Sequence, residues 1–188
     1  MNYYSEHSDE YISNTIGLDM SLFYPMLLKS IPQGGTILDV GFGSGRDSIY
    51  FDKHGYDVYS IDTCDSFVNH LKKYKIGHVY KKSVLEIDYK NKFDGIWANA
   101  ALVNLNKVEI KDALIKLRDA LKPNGVIYAS FKYGTSEGYD ELGRYNTYLN
   151  ESQMVEMLSG TQLFFKDMRI AKDTTRELNW LDVVLRKE

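Results

Sequence analysis

With 188 residues, 44% of them hydrophobic, the chain has the size and composition of one globular domain, which excludes a disordered chain. A formal net charge of −3 argues against tight nonspecific binding to nucleic-acid backbones, and the single cysteine, Cys64, excludes an internal disulfide. No apolar run reaches the roughly 20 residues that span a membrane. Met1-Asn2-Tyr3-Tyr4 lacks the basic start of a secretion signal, so a soluble, cytoplasmic protein is expected.

Residues 1 to about 18 are polar and tyrosine-rich. Asp19–Leu28 reads as an apolar helix that Pro25 kinks or restarts, and Ile31-Pro32-Gln33-Gly34-Gly35 turns into the first strand, Thr36–Val40. Three alternating glycines follow, then an amphipathic helix from Arg46 to His54 closed by Gly55. Strands are expected at Asp57–Asp62, His78–Lys81, Phe93–Asn99 and Val126–Phe131, with helices at Asp65–Tyr74 and Val108–Leu121 between them. Lys132 to Tyr148 reads as a long loop, Glu151–Leu158 as a helix, and Leu163–Ile170 and Trp180–Leu185 as two last strands. No repeat or linker divides residues 1–188, and residues 1–30 form an N-terminal helical segment. The alternation predicts a doubly wound α/β fold with a mostly parallel, seven-stranded sheet and helices on both faces.

The stretch Asp39-Val40-Gly41-Phe42-Gly43-Ser44-Gly45-Arg46 places a glycine turn at the carboxyl end of the first strand, where open α/β sheets bind ligands. A dinucleotide fingerprint is G-x-G-x-x-G/A; here the pattern is G-x-G-x-G and Arg46 stands where the third small residue belongs, which speaks against an NAD-dependent oxidoreductase. Asp39 would repel a pyrophosphate and welcome an ammonium or sulfonium. Asp62 ends the second strand, where a carboxylate can accept both hydroxyls of a ribose; a helix N-terminal acid is the competing role. Ser83 and Val84 follow the third strand, in position for the edge and face of an adenine.

Gly43-Ser44-Gly45-Arg46-Asp47, Trp97-Ala98-Asn99-Ala100, Lys122-Pro123-Asn124-Gly125, Ala129-Ser130-Phe131-Lys132-Tyr133-Gly134, Gly143-Arg144 and Trp180-Leu181-Asp182-Val183 occur in this order. Together they resemble the class I S-adenosylmethionine (SAM)-dependent methyltransferases, specifically a small bacterial family related to tellurite-resistance methyltransferases. The resemblance runs from about Ile16 to the C-terminus. It implies a Rossmann-like fold and SAM as cofactor with S-adenosylhomocysteine (SAH) as product, but not the substrate; methyl transfer to a small-molecule acceptor without a metal is the reaction expected. The implied cofactor-binding residues are Asp39, Gly41, Phe42, Gly43, Arg46, Asp62, Thr63, Ser83, Val84, Asn99 and Ala100.

Three departures from the family pattern stand out. Phe42 replaces a Cys, Thr63-Cys64 replaces the usual small residue and Ser after the strand-ending acid, and Asn104 stands where the family often has a His. An amide orients a substrate but takes no proton at neutral pH, so the acceptor is expected to be a soft or already ionised nucleophile. Catalytic residues are unassigned; Asn104, Lys132, Tyr133 and Arg144 are candidate substrate contacts, the last three on a 132–148 lid with Arg144 as an anion clamp. Arg46 is a candidate for the SAM carboxylate. Tyr3, Tyr4 and Tyr11 either fold over the cofactor or dock on the core. His7, His54, His70 and His78 show no ligand spacing, and Cys64 reads as a packing residue. Two other readings compete: a non-catalytic SAM-binding protein, and a nucleic-acid methyltransferase, which Ala100-Ala101-Leu102 after Asn99 disfavours.

Overall fold

The computed structural model describes residues 3–173 and 178–187; Met1 and Asn2 of the expected N-terminal segment lie outside them. β1 (Thr36–Val40) alternates between two buried faces. Leu38 and Val40 face the larger core, which includes Ile110, Leu114 and Leu117. Ile37 and Asp39 share the opposite face, where Ile37 packs in the cluster of Tyr24, Leu27 and Phe51. This double burial explains why the run reads as continuously apolar.

Around β1, strands β2 (Asp57–Asp62), β3 (His78–Lys81), β4 (Phe93–Ala98) and β5 (Leu121–Tyr133) pair in the parallel order β3-β2-β1-β4-β5. β9 (Asn179–Lys187) lies antiparallel along β5, and β8 (Leu163–Lys172) lies antiparallel along β9. These seven strands form the doubly wound sheet expected from the sequence. Two further strands, β6 (Glu137–Tyr139) and β7 (Tyr145–Leu149), make an antiparallel hairpin, and β7 runs parallel to the tip of β5 at Lys132 and Tyr133. Lys132–Tyr148 is therefore not the loop that was expected. β5 projects past the end of β4, and the hairpin takes up the edge left open.

α1 (Tyr3–Glu6) and α2 (Ser8–Thr15) precede α3 (Tyr24–Leu28), in which Pro25 starts the helix, so the expected helix from Asp19 is confined to its second half. α4 (Arg46–Lys53), α5 (Asp65–Lys72), α6 (Lys107–Ala120) and α7 (Glu151–Leu158) follow their strands. α6 shows the local logic most clearly. Asn106 caps it and Glu109 returns the bond, forming a capping box, while Ile110, Ala113, Leu114, Leu117 and Ala120 make one fully buried stripe. β1 pairs with β2 on one side and β4 on the other, so the sheet order reverses there and leaves a crevice at the carboxyl ends of β1 and β4.

Candidate active site

The crevice holds a cavity of about 270 Å³. Gly41, Gly43, Asp62, Thr63, Ser83, Val84, Ala100 and Asn104 line it, as do Tyr4, Tyr11, Cys64, Phe67, Lys82, Ala101 and Leu105. A larger groove of about 520 Å³ lies between α6 and residues 85–90, but no residue of the glycine turn borders it and Lys90 and Asp119 there are ion-paired. The smaller cavity is the one that the sheet's crevice and the glycine turn both address.

Its floor is backbone. Gly41 (φ +62°) and Gly43 (φ +54°) adopt left-handed conformations that disfavour other residues. A Cβ on Gly41 would lie 2.9 Å from Ala101 Cβ, and one on Gly43 would lie 2.9 Å from Tyr11 Cε1. The turn thus offers a close-approach cradle that any side chain would fill. Ala100 also has positive φ (+51°), held there as its N–H donates to Ser130 Oγ, which in turn donates to Asn99 Oδ1. A non-glycine residue held in this region in the wall of a cavity marks the wall as a candidate functional position.

Asp62 joins the floor to the wall. Gly43 N–H donates to its Oδ2 (3.0 Å) and Cys64 N–H to its Oδ1 (2.9 Å). Burial raises its carboxyl above the usual range, while these backbone donors and that of Thr63 pull the other way. A carboxylate has about four lone-pair sites, so sites remain on both oxygens for a diol. At Ser83 a capping box commits the N–H to Glu86, while Oγ accepts from Leu85 N–H and keeps its own hydrogen for a ligand.

The roof comes from the N-terminal helices and the hairpin. Tyr4 O–H donates to Asn104 Oδ1 (3.1 Å), and Asn104 Nδ2 donates to the Tyr145 carbonyl (2.6 Å), so one amide ties α1, the turn after β4 and β7 together. Tyr4 and Tyr11 both line the cavity and both pack on Phe67.

The structure places several expected residues elsewhere. Asp39 shares the inward face of β1 with Ile37 and accepts from Ser48 Oγ (2.6 Å), outside the cavity. Phe42 turns into the cluster of Cys64, Phe67, Val68 and Leu71. Arg46 forks onto Asp47 (Nε–Oδ1 2.7 Å, Nη2–Oδ2 2.8 Å), and Asn99 is held by Ser130. On the hairpin side, Arg144 is ion-paired with Asp140 and stacked over Tyr3, Lys132 bonds Asn146, and Tyr133 donates to Glu151. These three do not line the cavity, and Asp140 neutralises the charge that an anion clamp would need. Leu105, Lys82 and Ala101 were not foreseen as lining residues; nothing in their types marks them.

Burial, and then repulsion from Asp47, raise the Asp39 carboxyl well above its usual range. The folded state therefore keeps this proton to higher pH than the unfolded chain, and the associated stability is lost as pH rises beyond about 4. Asp39→Asn removes that dependence. Denaturant unfolding is expected to show the variant gaining on wild type between pH 4 and pH 8, and a variant that falls behind with rising pH contradicts the assignment.

Residues 37–125 match the model of a family described as a methyltransferase domain. The fold is that of the SAM-dependent methyltransferases. Burkholderia thailandensis 1,6-didemethyltoxoflavin-N1-methyltransferase, solved with 1,6-didemethyltoxoflavin and SAH, is 21% identical with a TM-score of 0.80, over 97% of this chain and 86% of that one. A SAM-dependent methyltransferase from Methanosarcina mazei is 17% identical with a TM-score of 0.74, over 90% of this chain and 99% of its own. The same fold occurs in the 4+2 cyclase SpnF, 14% identical with a TM-score of 0.70, over 97% of this chain and 80% of SpnF. No curated protein matches the chain. Among the described residues no helix is long and apolar enough to cross a membrane.

Proposed function

We propose that the chain binds S-adenosyl-L-methionine and transfers its methyl group to a small-molecule acceptor, releasing SAH. The observation that carries this reading is the left-handed Gly41–Gly43 cradle bonded to Asp62, whose remaining lone pairs suit a ribose diol. The motif order in the sequence supports a place among the small bacterial methyltransferases related to tellurite-resistance enzymes, and a cytoplasmic location belongs to the same proposal. The methyltransferase-domain match and the SAH-bound Burkholderia relative support the cofactor.

SAM, when bound, supplies a methyl group on a sulfonium that is already a strong electrophile, so the reaction needs no metal. The chain's own task is alignment and exclusion of water. Asp62 and Thr63 hold the ribose, and Ser83 and Val84 the adenine. Gly41 and Gly43 let the backbone approach, and Ala100 forms the wall across from them. Tyr4, Tyr11 and the hairpin close the roof. Asn104, engaged at both ends of its amide, orients and closes but accepts no proton. This favours a methylated atom that arrives ready to attack: a thiolate, a free amine, a carboxylate or a reduced selenium or tellurium species.

The test is transfer of labelled methyl from SAM to a panel of such acceptors. Labelled product is expected, with a pH–rate profile that follows the acceptor's own ionisation; a profile fixed by one enzyme group near neutrality for every acceptor contradicts the role given to Asn104. The cyclase of the same fold favours a second reading, a SAM-binding protein without transfer, which SAH binding with no labelled product across the panel would support.

A further inference from the structure

We propose that the end of the cavity beside β4 is the acceptor subsite, that the Tyr4 ring fills it in this structure, and that the acceptor is a planar ring whose own N–H or O–H displaces the Tyr4 phenol from Asn104 Oδ1. This inference rests on the SAM reading above and narrows the acceptor class that reading leaves open.

Space requires a side chain to move. The cavity of about 270 Å³ is smaller than the roughly 300–1,000 Å³ typical of a site for one small molecule, so a cofactor and an acceptor do not both fit beneath the roof as it stands. Three rings line the cavity. Phe67 belongs to a buried cluster, and Tyr11 is wedged over Gly43 and packed on Phe67. Tyr4 lies on α1, a single turn of helix that buries no residue, so its ring is the one that can yield. Position points the same way. Along the strand order β3-β2-β1-β4, Ser83 and Val84, then Asp62, then Gly41 and Gly43 are taken up by the cofactor. The wall after β4 remains, with Ala101, Asn104 and Leu105, and Tyr4 sits on it.

What surrounds Tyr4 describes what can replace it. Tyr11 meets its ring edge-on at 5.6 Å and Phe67 lies at 6.3 Å, spacings that favour another flat aromatic ring. The Tyr4 O–H donates to Asn104 Oδ1 (3.1 Å), while Asn104 Nδ2 is committed to the Tyr145 carbonyl (2.6 Å). The amide is thereby fixed with its oxygen toward the ring, and an amide oxygen accepts but cannot donate. A replacement without a donor leaves that oxygen unpaired, which costs more than the lost bond alone. Arg144 and Asp140 both act on the Tyr4 hydroxyl but are ion-paired with each other, so the place suits a neutral donor rather than an anion. The atom to be methylated is then a second group on the same ring, such as an amine nitrogen or a thiolate, that attacks without help from a base.

Tyr4→Ala empties the place, and because α1 buries no residue the variant is expected to fold. Calorimetric titration first loads wild type and variant with SAH. Ligand-observed NMR then titrates three probes into each: phenol; toluene, which has the ring without the donor; and cyclohexanol, which has the donor without a flat ring. SAH affinity is expected to stay within about threefold of wild type, and Tyr4→Ala to bind phenol at least about tenfold tighter than wild type does and about tenfold tighter than it binds toluene or cyclohexanol. Adding Asn104→Leu should abolish the preference for phenol over toluene. Tyr4→Phe keeps the ring and releases Asn104 Oδ1, so its phenol affinity is expected between those of wild type and Tyr4→Ala; it reads the donor even where the alanine variant fails to fold. Equal affinity of Tyr4→Ala for phenol and toluene would reveal an apolar hole and overturn the acceptor class. Equal phenol affinity in wild type and both Tyr4 variants would place the ring elsewhere and overturn the subsite, and a larger loss of SAH affinity would assign Tyr4 to the cofactor and overturn it too. Wild-type protein that binds no SAH overturns the SAM reading itself, an outcome read before any probe is added.

Discussion

Asp62→Ala is expected to weaken SAH binding about a hundredfold, roughly 3 kcal/mol for two hydrogen bonds to a charged acceptor. The effect has two sources. The ribose hydroxyls lose their acceptor, and the N–H groups of Gly43 and Cys64 lose the carboxylate that fixes the turn's left-handed geometry. Asp62→Asn separates them. An amide keeps one oxygen and turns an N–H₂ toward a backbone donor, so it retains part of the loss and is expected near tenfold. Isothermal titration checks both; affinity within about twofold of wild type for Asp62→Ala would contradict the assignment of the ribose to this residue.

The largest effect on stability is expected one layer beneath the site. Asp47 is buried and accepts four hydrogen bonds: from Arg46 Nε (2.7 Å) and Tyr24 O–H (2.8 Å) at Oδ1, and from Arg46 Nη2 (2.8 Å) and Trp97 Nε1 (2.8 Å) at Oδ2. It ties the first turn of α4 to α3 and to β4, and so sets where the glycine turn rests. Asp47→Ala leaves an indole N–H and a phenol without an acceptor and a buried guanidinium with only the Thr15 carbonyl. Breaking a buried pair in this way costs about 3–5 kcal/mol. Denaturant midpoints should fall accordingly, and a loss below about 1 kcal/mol would show that the hub does not hold α4 in place. Because Arg46 also reaches the Thr15 carbonyl, the variant is further expected to loosen α2 and with it the roof of the cavity.

Much of this architecture was legible because its signals are local. Thr36–Val40 with the glycines behind it reads as a strand and a turn, and His78–Lys81 and Glu151–Leu158 are bounded by the structure where the pattern bounds them. The hairpin was not legible. β6 has only three residues, too few for an alternation to show, and β7 is held by its pairing with the tip of β5, a contact that no local pattern encodes. The burial parity of β1 did carry a usable signal, since Asp39 lies two residues from Ile37 and must share its face. Asp140 and Arg144 likewise stand four apart around Gly143, close enough for their pair to be anticipated. The ties of Arg46 to Thr15, of Tyr4 to Asn104 and of Asn104 to Tyr145 were beyond reach, because each depends on segments distant in sequence that only the assembled fold brings together.

The central claim is that the crevice at the carboxyl ends of β1 and β4 is an adenosyl-cofactor site. Calorimetric titration of the wild-type protein with SAM, SAH and NAD in parallel tests it most directly. Saturable binding of one equivalent of SAM and of SAH, with no heat from NAD, is the predicted result. Absence of binding by both adenosyl ligands, or preference for NAD, would contradict the account.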